Sequence, residues 1–303
     1  MKLKNLIESQ QLDLETIFNL FNKADELRIS VKKPLNAKIL ATLFYEPSTR
    51  TRLSFESAML KLGGKVISTE NAKEFSSAIK GESLEDSIRV ISEYSDIIVI
   101  RHFEEGAAKR AASVSPIPII NGGDGSGQHP TQALLDLYTI WKEIGKIDKI
   151  KIAMIGDLKY GRTIRSLCYL LGKFQNIKII FVSPKHLSVG DDIKEYLKRH
   201  KVSFEEQTEL NKCLSQVDIV YMTRIQKERM SDKEYEDAKE TYQITEENFK
   251  LLKKNSRLLH PLPHAEEIKL PLEIEQTDKR VAYFKQAKNG LYIRMALLSY
   301  LLE

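Results

Sequence analysis

Ser48-Thr49-Arg50-Thr51-Arg52 stands directly after the apolar run 41–45 and directly before a helical pattern, and its reading decides the fold. Phe55, Ala58, Met59 and Leu62 recur at the spacing of one helical face, and Gly63-Gly64 supply a stop, so a helix is predicted over 49–62. A strand, a short loop and a helix in that order form the repeating unit of a parallel α/β protein. Ser48 then takes the N-cap position, its hydroxyl accepting from a first-turn amide. Arg50 and Arg52 fall where the helix macrodipole is already positive, which disfavours each cation by roughly 0.3–1 kcal/mol. Stability alone does not select two arginines there. A phosphate or carboxylate reverses the sign, because first-turn amides, two hydroxyls and a guanidinium fork then all donate to one anion.

The same alternation runs outward in both directions. An amphipathic helix is predicted over 13–27, then strands over 38–44, 65–69, 96–101 and 117–121, with helices over 49–62, 83–94, 104–114 and 130–144. A second series places strands at 150–155, 177–182, 202–206, 217–222, 256–259 and 281–284, with helices between several of them. A closing helix over 289–303 carries Leu291, Met295, Leu298 and Leu302. The fold class is α/β, two doubly wound parallel-sheet domains with an active-site cleft between them; the domains are 1–132 plus 289–303, and 133–288. The charged stretch 227–247 reads as a long irregular segment, either a solvated loop or a mobile lid.

Composition narrows the function class. With 303 residues and 42% hydrophobic content the chain can bury a large core. Two cysteines, Cys168 and Cys213, without CxxC or Cys/His spacing, support neither a disulfide framework nor a metal site, and a reducing cytoplasm is the expected location. No apolar run approaches the roughly 20 residues of a membrane span. A net charge of +5 with interleaved signs lacks the basic blocks of a nucleic-acid binder, so neither nucleic acid nor membrane is an expected partner. The 29% charged content is also compatible with heat adaptation.

Three further constellations carry chemistry. The glycine-rich turn 122–128 runs into His129-Pro130-Thr131-Gln132, with proline at helix position N1, so His129 and Gln132 are expected at an exposed amino end as neutral partners for a carbonyl or amide. Arg101 closes the apolar strand 96–100 and projects from a carboxyl edge; Arg162 follows the loop 156–161 and Arg224 follows the strand 217–222. Each alone reads equally well as a solvated strand end, but two arginines at corresponding edges suit a dicarboxylate through bidentate contacts. His260-Pro261-Leu262-Pro263-His264 is expected to be extended, which aims the carbonyls of Leu262 and Pro263 as fixed acceptors.

Phe44-Tyr45-Glu46-Pro47-Ser48-Thr49-Arg50-Thr51-Arg52, His129-Pro130-Thr131-Gln132, 222–229 and His260-Pro261-Leu262-Pro263 together resemble the catalytic chains of the transcarbamylase family, specifically its aspartate branch, over essentially the whole chain and in order. The first two motifs are shared by all transcarbamylases and imply carbamoyl phosphate as donor. Arg224 with Gln226, Pro261 where ornithine enzymes carry His-Cys-Leu-Pro, and the lack of their Ser-Met-Gly triplet imply L-aspartate as acceptor. By position, the resemblance implies that Ser48, Thr49, Arg50 and Thr51 hold the phosphate. Thr51, Arg101 and His129 polarise the carbamoyl oxygen, and Gln132 with the Leu262 and Pro263 carbonyls holds the carbamoyl amide. Arg162, Arg224, Gln226 and Lys80 bind aspartate. Ser76 and Lys80, in the polar loop 74–81, reach the neighbouring subunit's site, which implies a homotrimer with shared active sites. Zinc-containing regulatory chains are a further partner known in the family, and neither a cofactor nor a catalytic metal is implied. His264 departs from the arginine usual there.

Competing readings keep the chemistry with ornithine or another amine as acceptor, or replace it with a dinucleotide-dependent oxidoreductase or a silent anion-binding module. The oxidoreductase reading is weak, because Gly156-Asp157-Leu158-Lys159-Tyr160-Gly161 is not GxGxxG and the strand 177–182 ends in Ser183-Pro184 rather than an acid for a ribose.

Overall fold

Parallel pairing requires each strand to return to the same edge through a covering element, and both halves of the chain obey that rule. The computed structural model describes residues 3–31, 33–72, 81–225, 235 and 241–303. It divides into two compact units, Met1–Leu134 with Asn289–Glu303, and Leu135–Lys288.

In the first unit, β1 (Ile39–Phe44), β2 (Lys65–Glu70), β3 (Ile97–His102) and β4 (Ile119–Asp124) form an all-parallel sheet in the order β2-β1-β3-β4. The helices Leu14–Ile29, Thr49–Lys61, Leu84–Ser92 and Ala107–Val114 belong to this unit. Ala41, Leu43, Ile98 and Ile100 of the sheet pack with Ile88, Ala107 and Ala111 of the helices. Fully burying an aliphatic side chain of this size contributes about 1.5–3 kcal/mol.

The second unit contains β5 (Lys151–Ile155), β6 (Lys178–Val182), β7 (Ser203–Gln207), β8 (Ile219–Met222), β9 (Ile244–Thr245), β10 (Arg257–Leu259) and β11 (Ile268–Lys269). Five of these pair in the order β10-β8-β5-β6-β7, again all parallel, and β9 pairs with β11. Central β5 is buried at every position after Lys151, as a strand covered on both faces must be. Edge strand β7 instead has only exposed and half-buried positions, and its Glu205 and Glu206 pair with Lys178 and Lys194 at 2.9 and 2.8 Å. Charges of that kind blunt a free edge.

The strand order fixes where ligands can sit. From β1 the chain steps to β2 on one side and then to β3 on the other; from β5 it steps to β6 and β7, then back across to β8. Loops leaving β1 and β3, and loops leaving β5 and β8, therefore diverge, and each divergence is a topological switch point.

Two expectations are corrected. Residues 281–284 are not a strand: Val281 makes only an isolated bridge to Leu258, and the helix Tyr283–Leu302 begins there, six residues before the predicted closing helix. The run Val281-Ala282-Tyr283-Phe284 has strand composition, but it is continued by Gln286, Asn289 and Arg294, which are buried along the same helix. The described end of the stretch 227–247 contains β9 and the start of the helix Glu246–Phe249, capped by Thr245. Among the described residues no helix is long and apolar enough to cross a membrane.

Gly156, at the end of β5, has φ +113°, and a Cβ there would lie 2.4 Å from the Thr223 carbonyl oxygen. The loops after β5 and β8 thus approach through a missing side chain. Gly156→Ala should lower the unfolding free energy by ~2–4 kcal/mol, measured in urea. Gly145→Ala, at φ +80° with nothing within 4 Å of the new Cβ, should cost only ~1 kcal/mol. Equal losses would mean that the Thr223 contact is irrelevant.

Candidate active site

The helices Leu14–Ile29 and Leu84–Ser92 start conventionally. Asp13 accepts from the Thr16 amide at 2.7 Å and Ser83 from the Asp86 amide at 3.1 Å, and both first turns carry acids. The helix Thr49–Lys61, which follows β1, does neither. Its N-cap Ser48 is extended, makes no side-chain capping bond, and no acid stands in the first turn. The expected Ser48 cap is therefore absent: position 48 is the N-cap by backbone geometry alone.

The two arginines of this turn separate. Arg52 donates to Glu70 at 2.7 Å, Glu56 at 3.3 Å and Ser68 at 3.2 Å, so carboxylates of the same unit offset its dipole conflict. Glu56 also accepts from Thr42 and Ser68, which ties the helix to β1 and β2. Arg50 is exposed, as is Thr49, and partial loss of solvent lowers its pKa without bringing it near neutrality. Thr51 is buried at 6% exposure. Of the two arginines noted in this turn, Arg52 is thus tied to side chains of its own unit, whereas Arg50, which the resemblance assigns to the phosphate, is exposed.

Arg101 lies near the end of β3, where it pairs in register with Phe44 of β1, so it faces the same switch point as 48–51. Its guanidinium meets Glu46 at 2.9 Å and the Gly122 carbonyl at 3.3 Å. Glu46 lies inside the motif read from sequence without a role assigned to it; its charge and its place two residues after β1 are the available signal.

The glycine-rich turn is organised by Asp124. Its carboxylate accepts from the Gly106 amide at 2.9 Å, the Gln128 amide at 3.0 Å and Asn121 Nδ2 at 2.9 Å. Gly125 is required, since with φ +46° a Cβ would come within 2.7 Å of the Glu105 nitrogen. This turn delivers His129 to the start of the helix Pro130–Ile144, where the His129 carbonyl accepts from the amides of Gln132 and Ala133 at 3.0 and 3.1 Å. The expectation of an exposed amino end is corrected: His129 and Gln132 are 5% and 9% exposed. Packing around the turn, which apolar spacing cannot reveal, covers both.

In the second unit the pattern repeats. Arg162 opens the helix Arg162–Leu171 after β5, behind an N-cap Gly161 with no side-chain cap and no first-turn acid. Arg224 follows β8, which pairs directly with β5, so both arginines stand at the second switch point. Arg165, one turn into the helix, is held by Asp192 as Arg52 is held by its carboxylates. Asp157, fully buried, accepts from the Tyr160 amide at 3.0 Å and shapes the loop before Arg162.

The expectation of an extended 260–264 segment is also corrected. Leu262 has φ +51° and the Leu262–Pro263 peptide is cis. The Leu262 amide donates to His260 Nδ1 at 2.8 Å, closing a tight turn that the proline rule does not anticipate. Buried Glu267 lies 2.9 Å from His260 Nε2 and accepts from the Ala265 amide at 3.1 Å. Burial pushes its pKa up, but the His260 contact and backbone donors outweigh that and hold it below the ordinary carboxylate value. His264 packs on Tyr283 and Phe284 and lies 3.5 Å from Glu275. Ser76, Lys80 and Gln226 lie outside the described residues. Among the described residues no group of three or more His, Cys, Asp or Glu could hold a metal ion.

Two parallel sheets, each with an arginine-bearing helix start at its switch point, define a two-domain α/β protein. Residues 4–142 match the carbamoyl-P binding domain, and residues 148–301 the Asp/Orn binding domain, of aspartate/ornithine carbamoyltransferases. The chain belongs to the aspartate/ornithine carbamoyltransferase family. It is 54% identical over 308 residues to aspartate carbamoyltransferase 1, chloroplastic, of Pisum sativum, covering 99% of this chain and 79% of the relative. The catalytic subunit of Methanocaldococcus jannaschii aspartate transcarbamoylase superposes with a TM-score of 0.91 at 49% identity, covering 99% of this chain and 98% of that one. Trypanosoma cruzi aspartate transcarbamoylase in complex with carbamoyl phosphate and aspartate gives a TM-score of 0.91 at 35% identity, covering 100% and 98%.

The cytoplasmic expectation is overturned by these names. The pea relative and those of Oryza sativa and Arabidopsis thaliana are named chloroplastic, not cytoplasmic. Unpaired thiols do not supply an address.

The Glu267 shift has a definite sign. A carboxyl whose folded pKa is depressed contributes stability that is present above its ordinary value, near 4.5, and lost as pH falls through the folded value. Urea midpoints should therefore drop as pH is lowered below that value, and Glu267→Gln should remove part of the drop. An unchanged acid limb in the variant would dismiss Glu267 as a contributor.

Proposed function

We propose that the two arginine-bearing helix starts are the phosphate and dicarboxylate sites of one transfer reaction. The protein is an enzyme, an aspartate carbamoyltransferase: it moves the carbamoyl group of carbamoyl phosphate to the amino group of L-aspartate, releasing N-carbamoyl-L-aspartate and phosphate, an early step of de novo pyrimidine biosynthesis. The observation that carries this is the shared departure of Thr49–Lys61 and Arg162–Leu171 from ordinary helix starts, each without a cap or an acid and each with an arginine in its first turn. Full-length identity to aspartate enzymes supports aspartate over ornithine as acceptor.

Residue roles follow from chemistry and position. Ser48, Thr49, Arg50 and Thr51 take the phosphate through hydroxyls, first-turn amides and a guanidinium. Thr51, Arg101 and His129 donate to the carbamoyl oxygen, and Gln132 with the Leu262 and Pro263 carbonyls holds the carbamoyl amide. Arg162, Arg224, Gln226 and Lys80 take the two carboxylates of aspartate. The unit with 1–132 and 289–303 is the carbamoyl phosphate-binding domain and 133–288 the aspartate-binding domain, a division supported by the family matches.

The aspartate amine, deprotonated, attacks the carbamoyl carbon; a tetrahedral oxyanion forms, the C–O bond to phosphate breaks, and the departing phosphate accepts the amine proton. Positioning the two reactants and aiming donors at the oxyanion each contribute several kcal/mol to such a step. His129, which is buried, serves as a donor rather than a base. The reading extends to a homotrimer, in which Ser76 and Lys80 of one subunit complete the neighbouring site, and to larger allosteric assemblies with zinc-containing regulatory chains; mass measured under native conditions tests both.

His129→Ala should reduce kcat by roughly 10²–10³, as loss of one oxyanion-directed donor does, while carbamoyl phosphate binding loosens far less. A small change in kcat would remove His129 from the oxyanion. Arg50→Ala should abolish the rise in melting temperature that phosphate gives the native protein; undiminished protection would place the phosphate elsewhere. In a carbamoylation assay aspartate should outperform ornithine, and the reverse result would reassign the acceptor.

A further inference from the structure

Leu262 occupies a left-handed conformation that is unfavourable for a residue with a Cβ, so its neighbours must hold it there. A chain of largely buried polar contacts supplies restraint. The Leu262 amide donates to His260 Nδ1 at 2.8 Å, which makes Nδ1 an acceptor and puts the ring proton on Nε2, 2.9 Å from Glu267 Oε1. The His260 amide donates to Gln286 Oε1 at 2.8 Å. Gln286 Nε2 donates to Asp136 Oδ1 at 2.6 Å, and Asp136 Oδ2 accepts from the Tyr221 hydroxyl at 2.6 Å.

Every orientation in this chain is dictated. Gln286 must turn its oxygen to the His260 amide and its nitrogen to the carboxylate, since the reverse sets donor against donor. Burial keeps the Tyr221 hydroxyl protonated, so it can only be Asp136's donor. Gln286 is 1% exposed and Asp136 0%, so neither meets a substrate directly. Apolar residues of similar volume would often be at least as stable as a buried carboxylate network, and this network ends on one particular turn.

We infer that Gln286, anchored by Asp136 and Tyr221, is a positioning residue that aims the carbonyls of Leu262 and Pro263, and thereby sets the enzyme's preference for an amide over an isosteric methyl group on the donor. This rests on the reading that those carbonyls accept from the carbamoyl amide. Carbamoyl phosphate and acetyl phosphate differ only in NH₂ against CH₃, so their affinity ratio isolates this contact from the phosphate and carbonyl contacts they share.

The test measures dissociation constants of both ligands by calorimetry, using the full chain. The wild type should prefer carbamoyl phosphate by about tenfold or more, the size expected for one to two hydrogen bonds. Gln286→Met, close in volume and unable to make either bond, should bring the ratio to within about twofold. Ser256→Ala serves as the stability control: it removes another buried bond of the same unit, to the Val217 carbonyl at 2.7 Å, and should lower the melting temperature while keeping the wild-type ratio. If Gln286→Met fails to fold, Tyr221→Phe carries the test from the far end of the chain, with a loss of roughly threefold in the ratio expected. A variant that folds and keeps the wild-type ratio overturns the role of Gln286. A wild type that does not discriminate overturns the carbonyl reading itself, and the inference with it.

Discussion

Strand order reverses between β1 and β3, and again between β5 and β8, and the rest of the molecule depends on that constraint. At a reversal, consecutive loops leave the sheet edge in opposite directions, and the helix that follows each strand begins with amides turned toward the opening. An ordinary protein closes such a start with a side-chain cap and an acid, as Asp13 and Ser83 do here. The helices after β1 and β5 keep the amides and add cations, which the helix dipole disfavours at that end. Part of that cost is offset inside each unit: Arg52 is paired with Glu56 and Glu70, and Arg165 with Asp192.

Much of this could be read directly, because it is local. Short runs of strand-forming residues bounded by glycine or polar turns locate all four strands of the first sheet, with ends off by no more than three residues. Arg101, Arg162 and Arg224 could be assigned to carboxyl edges for the same reason. What could not be read is non-local. The residue that orients the 260–263 turn is Gln286, and its anchor Asp136 lies 150 positions earlier in the chain. No spacing rule joins those positions, and Gln286 sits in a segment whose opening residues have the composition of a strand. The Ser48 hydroxyl illustrates a different limit: serine before a helix is a sound capping signal, and it fails here because the helix start is shaped for something other than its own stability.

The two sheet edges also differ in how their acceptors and donors are made. Around β1, β3 and β4 the polar groups are side chains on short loops, and glycines such as Gly125 allow backbone to pass within contact distance of backbone. At the end of β10 the useful groups are backbone carbonyls, and a carbonyl cannot be aimed by choosing a rotamer. It can be aimed only by fixing φ and ψ, which explains why the 260–263 turn is surrounded by buried polar groups while neighbouring layers are aliphatic.

Such a network carries a specific hazard. A carboxylate with no exposure, such as Asp136, is tolerable only while its donors remain, because loss of one leaves a buried charge under-compensated at a cost of several kcal/mol. Two donors at 2.6 Å, one a hydroxyl that burial keeps protonated, meet that requirement. Stability and aim are then coupled, since any rearrangement that releases the turn also strips the carboxylate. The energetic penalty that makes buried ion chemistry a poor source of stability thus becomes the source of the turn's rigidity: few alternative conformations of 260–263 keep Gln286 in place, and those that do not are removed by the cost at Asp136.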